Sequence, residues 1–197
     1  MDFSVRDYSA GDETQWLRCR VLAFLGTSYF DSVERRKPAV PEPGFSLVAV
    51  SGGAVVGLMD VEVEGAEATI ESVAVHPDRQ SEGIARALLE TAVRRLGAMS
   101  VGLLDAWTRD DPSVLAWYRA TGFTEGEHYL HVYADLYANS AEPDLAIGAR
   151  RPGLRPVKVF LHGDIKDEAL MREQFSRVHV CRRFVLPIPG PAASPGT

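Results

Sequence analysis

Apolar and polar side chains alternate along Phe3-Ser4-Val5-Arg6-Asp7-Tyr8, the period of a half-buried strand. From about Asp12 to Phe24 the period lengthens to that of a helix, with Trp16, Leu17, Cys19, Arg20, Ala23 and Phe24 on one face. Residues 26–44, which hold Tyr29, Phe30, Arg35, Arg36 and Lys37, show no clean period. Phe45–Val50 and Ala54–Glu64 predict two strands joined by the hairpin turn Ser51-Gly52-Gly53, and a tight turn at Gly65 leads into a third strand ending at Val75. The clearest pattern follows, a helix from about Glu82 to Leu96. Its apolar stripe is Ile84, Ala85, Leu88, Leu89, Ala92, Val93 and Leu96, and Arg86, Glu90 and Arg94 form a charged ladder on the opposite face. Ser100–Trp107 is strand-like. Asp111-Pro112 and Gly122 bracket a short helix carrying Trp117 and Tyr118, and Glu127–Leu136 closes the sheet. This order predicts a mixed α/β fold.

Beyond it the composition changes. Residues 139–156, rich in Pro, Gly, Ala and Arg, read as a linker. A strand over Val157–Leu161, a helix capped by Asp164 or Asp167 and reaching Val178, and a strand over His179–Leu186 follow; Leu170, Met171, Phe175 and Val178 form the helix's apolar side. The residues from Pro187 to the end read as a disordered tail. A piece of about 30 residues is too small to hold itself together, so 157–186 must pack on the main domain or on another subunit, as a lid or as a homodimer contact.

The chemistry concentrates between Glu71 and Leu89. Pro77 ends a strand because it has no amide to donate, and the helix starting near Glu82 leaves unpaired backbone N–H groups in its first turn. With the helix dipole these make an anion site suited to a pyrophosphate, which Gly83 and Ala85 would let approach the backbone closely. The three glycines of a dinucleotide-binding turn and the Gly-Lys-Ser/Thr of a triphosphate loop are both missing. The pattern present, Gln80-x-x-Gly83-x-Ala85, resembles the acetyl-CoA signature of the GNAT superfamily of N-acetyltransferases. Trp117-Tyr118-Arg119-Ala120-Thr121-Gly122-Phe123 resembles that family's late helix, with a Tyr four residues before a Gly-Phe pair. The resemblance spans about residues 3–137, so residues 1–138 are expected to form a GNAT-like domain.

That resemblance implies a mostly antiparallel central sheet with helices on both faces, and acetyl-CoA as cosubstrate. It implies that the strand around Val73, Ala74 and Val75 splays from its neighbour to bind the pantetheine arm. A free amide there would also stabilise an oxyanion, an interaction worth about 3 kcal/mol elsewhere. The pyrophosphate would rest on the amides of Ser81, Glu82, Gly83, Ile84 and Ala85, with Gln80 close by; the Glu82 carboxylate is repulsive there unless it points to solvent. Asp111 stands where many members have Asn, in a family-like arrangement with Asp105 and Trp107 near the cofactor. Residues 26–44 fall where the family builds its acceptor pocket.

Tyr118 is the candidate general acid for the departing thiolate, against the alternative of a packed aromatic. Glu71 is the candidate base. On strand alternation it shares a face with Thr69, Val73 and Val75, a largely apolar surface that would raise its pKa; a carboxylate paired with Arg6, Arg109 or another base is the alternative. Asp60, Glu62 and Glu64 line the acceptor site or face water.

Composition adds limits. At 197 residues, 46% hydrophobic and 24% charged, the chain is an ordinary globular one. No stretch approaches a spanning helix and no signal-peptide pattern opens it, so no membrane partner and a cytoplasmic location are expected. The net charge of −6 disfavours nucleic acid and mildly favours cationic acceptors. Cys19 and Cys181 are expected to be reduced, and the scattered histidines predict no metal. The expected function is acetyl transfer to a primary amine, of a small molecule, by direct attack in a ternary complex. Two readings stay open: a catalytically silent acyl-CoA-binding module, and a transferase using another acyl group or a protein amine.

Overall fold

The structure, a computed structural model, describes residues 2–149 and 151–189. Eight strands form one sheet: β1 (Ser4–Asp7), β2 (Phe45–Ser51), β3 (Ala54–Glu64), β4 (Glu67–Val75), β5 (Leu103–Thr108), β6 (Thr124–Asp135), β7 (Lys158–Asp164) and β8 (Arg177–Pro187). Their spatial order is β1-β2-β3-β4-β5-β8-β6-β7. Only β4 and β5 run parallel; every other neighbouring pair is antiparallel. Five helices accompany them: α1 (Glu13–Leu25), α2 (Ile84–Ala98), α3 (Pro112–Ala120), α4 (Glu142–Ala146) and α5 (Glu168–Gln174).

The two sheet faces are covered by different helices. Ile84, Leu88, Leu89, Ala92 and Leu96 of α2 pack with Leu115 and Tyr118 of α3 against Leu47, Met59, Ile70, Leu104 and Phe184. On the other face, Trp16 and Cys19 of α1 pack against Val48, Val55, Leu58 and Ala74. The hairpin between β2 and β3 turns through Gly52 and Gly53, both at positive φ (+55° and +80°), a conformation that side chains disfavour. Both cysteines are free and buried.

The predicted helices lie close to the observed ones, but α2 begins at Ile84 rather than Glu82, after a left-handed Gly83. The helix expected to reach Val178 stops at Gln174. Phe175 turns extended and is buried with Val178, while Leu170, expected on the apolar side, is 47% exposed.

The sequence pattern gave no hint of where β8 goes. It enters between β5 and β6, pairing Asp105 with Val185 on one side and Tyr129 with Cys181 on the other. Pro187 ends it, and Ile188 is buried with its amide donating to the Gly102 carbonyl at 2.9 Å; the expected tail beyond residue 189 lies outside the described residues. Within 139–156, Glu142 is buried and its carboxylate accepts from the amides of Asp135 (3.0 Å) and Ser176 (2.7 Å), tying this stretch to the sheet.

Candidate active site

The site follows from the parallel pair. β4 and β5 stay in register only from Glu67 with Leu103 to Ile70 with Ala106. Beyond that point the strands part, and among the described residues the edge of β4 from Glu71 to Val75 that faces β5 has no partner strand. The opening is a groove between β4 and the start of α3. Its outer part, about 400 Å³, is lined by Val73, Val75, Gln80, Ser81, Gly83 and Ala85 on one side and Val114 and Trp117 on the other. Its inner part, about 340 Å³, shares Val73, Ala74, Val75 and Gln80 and continues to Glu71, Tyr118, Trp107 and Arg20.

At the outer end, Ser81 and Gly83 both adopt left-handed backbone (φ +64° and +84°), curling the chain into a concave turn that opens α2. A serine held there costs about 1 kcal/mol or more, a conformation that clusters at ligand sites. Among the described residues no backbone carbonyl accepts from the amides of Ser81, Glu82 or Gly83 outside regular elements, and the first amides of α2 have no partner within the helix. The Gln80 amide group reaches the Val75 carbonyl at 3.5 Å. Glu82 does not oppose an anion unscreened: Arg79 holds its carboxylate at 2.9 Å, lowering its pKa through that hydrogen bond, and also donates to the Ser51 hydroxyl at 3.0 Å. Sequence reasoning missed Gly57, which seats the turn. A Cβ there would fall 2.5 Å from Ile84 Cγ2, so only glycine lets the start of α2 lie this close to β3.

Tyr118 is 3% exposed, stacked on Phe184 at 4.8 Å and 16°, with Trp117 and Phe123 edge-on. The inserted strand β8 therefore provides the floor on which this ring sits. Among the described residues no hydrogen bond reaches its hydroxyl, and the residue lines the inner groove. Burial, then Tyr29 and Asp105, pushes its pKa well above the ordinary phenol value, so the proton stays on it at neutral pH.

Glu71 lies on the opposite wall and sits at an irregularity. Asp60 pairs with Ser72 and Val61 with Ile70, so Glu71 is the extra residue of a β-bulge. The bulge reverses the alternation. Val73 and Val75 pack on the α2 side together with Ala68 and Ile70, and only Ala74 turns toward α1. Glu71 thus does not share a face with Val73 and Val75 as strand alternation predicts. It faces the groove and the space beyond it, and no ion pair with Arg6 or Arg109 forms: Arg6 is paired with Asp12 at 2.7 Å. Its pKa is raised, first by burial and then by Glu62, Asp105 and Asp60.

Asp111 precedes α3 at the cap position but makes no side-chain cap bond. Its carboxylate instead accepts from the amide of Ser28 at 3.1 Å and from the Ser28 hydroxyl. Ser28 is held twice more, since its carbonyl accepts from Arg109 and from Arg177, the latter at 2.9 Å, while Arg177 also grips Asp31 at 2.6 Å. The loop after α1 is thereby fastened to the far half of the sheet, and it brings Tyr29 and Ser32 to the inner groove. Arg109 is itself buried, with Tyr29 4.2 Å beneath its guanidinium. None of these long-range partners carries a local sequence signal.

The comparisons with known proteins agree with this geometry. The sequence model of the acetyltransferase (GNAT) domain matches residues 42–125. The chain is similar in structure to the ribosomal-protein-S18-alanine N-acetyltransferase from Escherichia coli, with 18% identity and a TM-score of 0.59 over 97% of this chain and 96% of that one. It is also similar to a tandem GNAT protein from the clavulanic acid biosynthesis pathway, with 23% identity and a TM-score of 0.61 over 77% of this chain and 53% of that one. The PaiA N-acetyltransferase from Thermoplasma acidophilum, in complex with coenzyme A, matches with 13% identity and a TM-score of 0.55 over 64% of this chain and 92% of that one. No curated protein sequence matches. At such identities the structural likeness is one of fold. Residues 42–125 therefore match a GNAT acetyltransferase domain in sequence, and the chain has the fold of the GNAT structures it resembles; GNAT acetyltransferases take acetyl-CoA as cosubstrate. Among the described residues no helix is long and apolar enough to cross a membrane, and no group of three or more metal-binding side chains occurs.

Proposed function

We propose that this chain transfers an acetyl group from acetyl-CoA to the primary amine of a small-molecule acceptor by direct attack in a ternary complex. The observation that carries the reading is the junction of three features in one groove: unpaired amides at Ser81–Ala85, the unpartnered edge of β4, and Tyr118 and Glu71 on facing walls.

The amides of Ser81 through Ala85 bind the pyrophosphate, and Arg79 keeps Glu82 from opposing it. The β4 edge at Val73–Val75 pairs with the pantetheine amides as a missing strand would. An amide of that edge also stabilises the oxyanion that develops on the thioester carbonyl. Glu71 takes a proton from the acceptor ammonium, directly or through a water, for which its raised pKa is an advantage. The N–C bond then forms as the C–S bond breaks. Tyr118, still protonated, donates to the thiolate sulfur as it leaves. The nitrogen's second proton, which must leave as the amide forms, replaces the one Tyr118 gives to sulfur, and Glu71 releases the first to solvent when the product departs.

Asp111 acts on the acceptor side in this scheme, by anchoring the Ser28 loop. A small acceptor is favoured by the space next to Glu71, a cavity of about 550 Å³, the size of ordinary small-molecule sites. Thiol release from acetyl-CoA across a panel of primary amines tests the reading: Tyr118→Phe should lose turnover and keep coenzyme A binding. A wild-type protein that binds coenzyme A and turns over no amine would be a silent module instead.

A further inference from the structure

The cavity beyond Glu71 has a chemical character of its own. Its walls are Trp107 from β5, Tyr129 from β6, His162 from β7, and Thr69, Ile70 and Glu71 from β4. The aromatic wall exists only because β8 sets β6 and β7 at that distance from β5. Trp107 is 37% exposed and meets Tyr129 at 5.1 Å and 61°, so the two rings form a corner rather than a closed stack. Tyr129 meets His162 at 4.7 Å, and His162 lies flat on His131 at 5.1 Å and 15°.

The charges at this corner are one-sided. Glu62, Asp105 and Asp60 are close enough to Glu71 to raise its pKa. Asp60 is matched by Lys37 at 3.0 Å and Asp105 by Arg183 at 2.6 Å. Among the described residues no ion pair involves Glu62 or Glu71, so two carboxylates remain uncompensated. The guanidiniums nearby are engaged: Arg183 with Asp105 and Glu127, Arg109 with His131, Tyr133 and the Ser28 carbonyl, and Arg20, across the inner groove, with the carbonyl and hydroxyl of Ser32. His131, beneath His162, is uncharged at neutral pH because burial, then Arg109, pulls its pKa down to about 4. Electron-rich ring faces beside uncompensated carboxylates attract a weakly hydrated cation.

We propose that this corner selects an acceptor with two cationic ends: the primary amine that reacts at Glu71, and a second, compact alkylammonium end seated against Trp107 and Tyr129. The proposal rests on the acetyl-transfer reading for the role of the first amine, but the corner itself can be tested by binding alone.

The probes are (4-aminobutyl)trimethylammonium and its neutral-headed isostere 5,5-dimethylhexylamine. Both are titrated at pH 7 into the full chain with and without saturating coenzyme A, and binding is read by calorimetry. The charged head should bind about fivefold more tightly. Trp107→Leu should bring that ratio close to one, and Glu62→Gln should lower it by about twofold while leaving the rings in place. Equal or tighter binding of the neutral isostere overturns the proposal, as does an undiminished ratio in Trp107→Leu. A protein that ignores coenzyme A yet keeps the fivefold ratio would overturn the acetyl-transfer reading and leave the cation site standing.

Discussion

The two halves of the sheet are built by different rules. From β1 to β4, each strand pairs with its neighbour in sequence, and one wall of the groove's outer end comes from one stretch, residues 73–86, with α3 supplying the other. From β5 to β7, the last strand is threaded into the middle, and the cavity proposed to take the acceptor draws on β4, β5, β6 and β7. On the proposed reading, local construction suits a grip on a single cosubstrate. Assembly from distant strands suits the variable part, because each wall can change without disturbing the phosphate turn. The two chemistries meet at Tyr118, whose ring comes from α3 and whose floor, Phe184, comes from β8.

If that division holds, variants should separate by side. The largest effect is expected at the meeting point: Tyr118→Phe should lower kcat by about 100-fold or more, with coenzyme A affinity changed less than about twofold. Next, Glu71→Gln should lower kcat about 100-fold at pH 7 and flatten the acidic limb of the pH–rate profile, since the wild-type base is lost as pH falls through its raised pKa. The sign for stability is opposite. A carboxyl with a raised folded pKa favours the native state below its unfolded pKa and loses that contribution as pH rises, so Glu71→Gln should melt slightly higher than wild type at pH 7.

On the cofactor side, Gly57→Ala drives a methyl into Ile84. It should destabilise the fold by about 1–3 kcal/mol and weaken coenzyme A binding while leaving acceptor KM nearly unchanged. On the acceptor side, Asp111→Ala releases Ser28; acceptor KM should rise several-fold with coenzyme A affinity preserved, and the reverse pattern would return Asp111 to the cofactor. The smallest effect belongs to Arg79→Ala. Freeing Glu82 beside the pyrophosphate should weaken coenzyme A binding by about threefold at low salt, less as salt rises.

The same division explains what could be read from the sequence. The turn before α2, the α2 stripe and the bracketing of α3 by Asp111-Pro112 and Gly122 are local patterns, and the structure places each element close to its predicted bounds. Glu71 was misoriented because a bulge adds one residue and reverses every later side chain, and nothing local marks it. The insertion of β8 was invisible because strand order depends on long-range pairing, while period and turn residues report only neighbours. Asp111 has the sequence position of a cap, yet its carboxylate bonds across 83 residues to Ser28. The walls formed by Tyr129 and His162 became visible only once β6 and β7 were in place.

The central claim is that the turn after Gln80 and the open edge of β4 hold coenzyme A. Equilibrium dialysis of the full chain against labelled acetyl-CoA tests it most directly, with Gly83→Val alongside, because a β-branched residue is strained at that positive φ. One saturable site in the wild type, lost in Gly83→Val, is the predicted result; no retention of label by the wild type at millimolar concentration would contradict it.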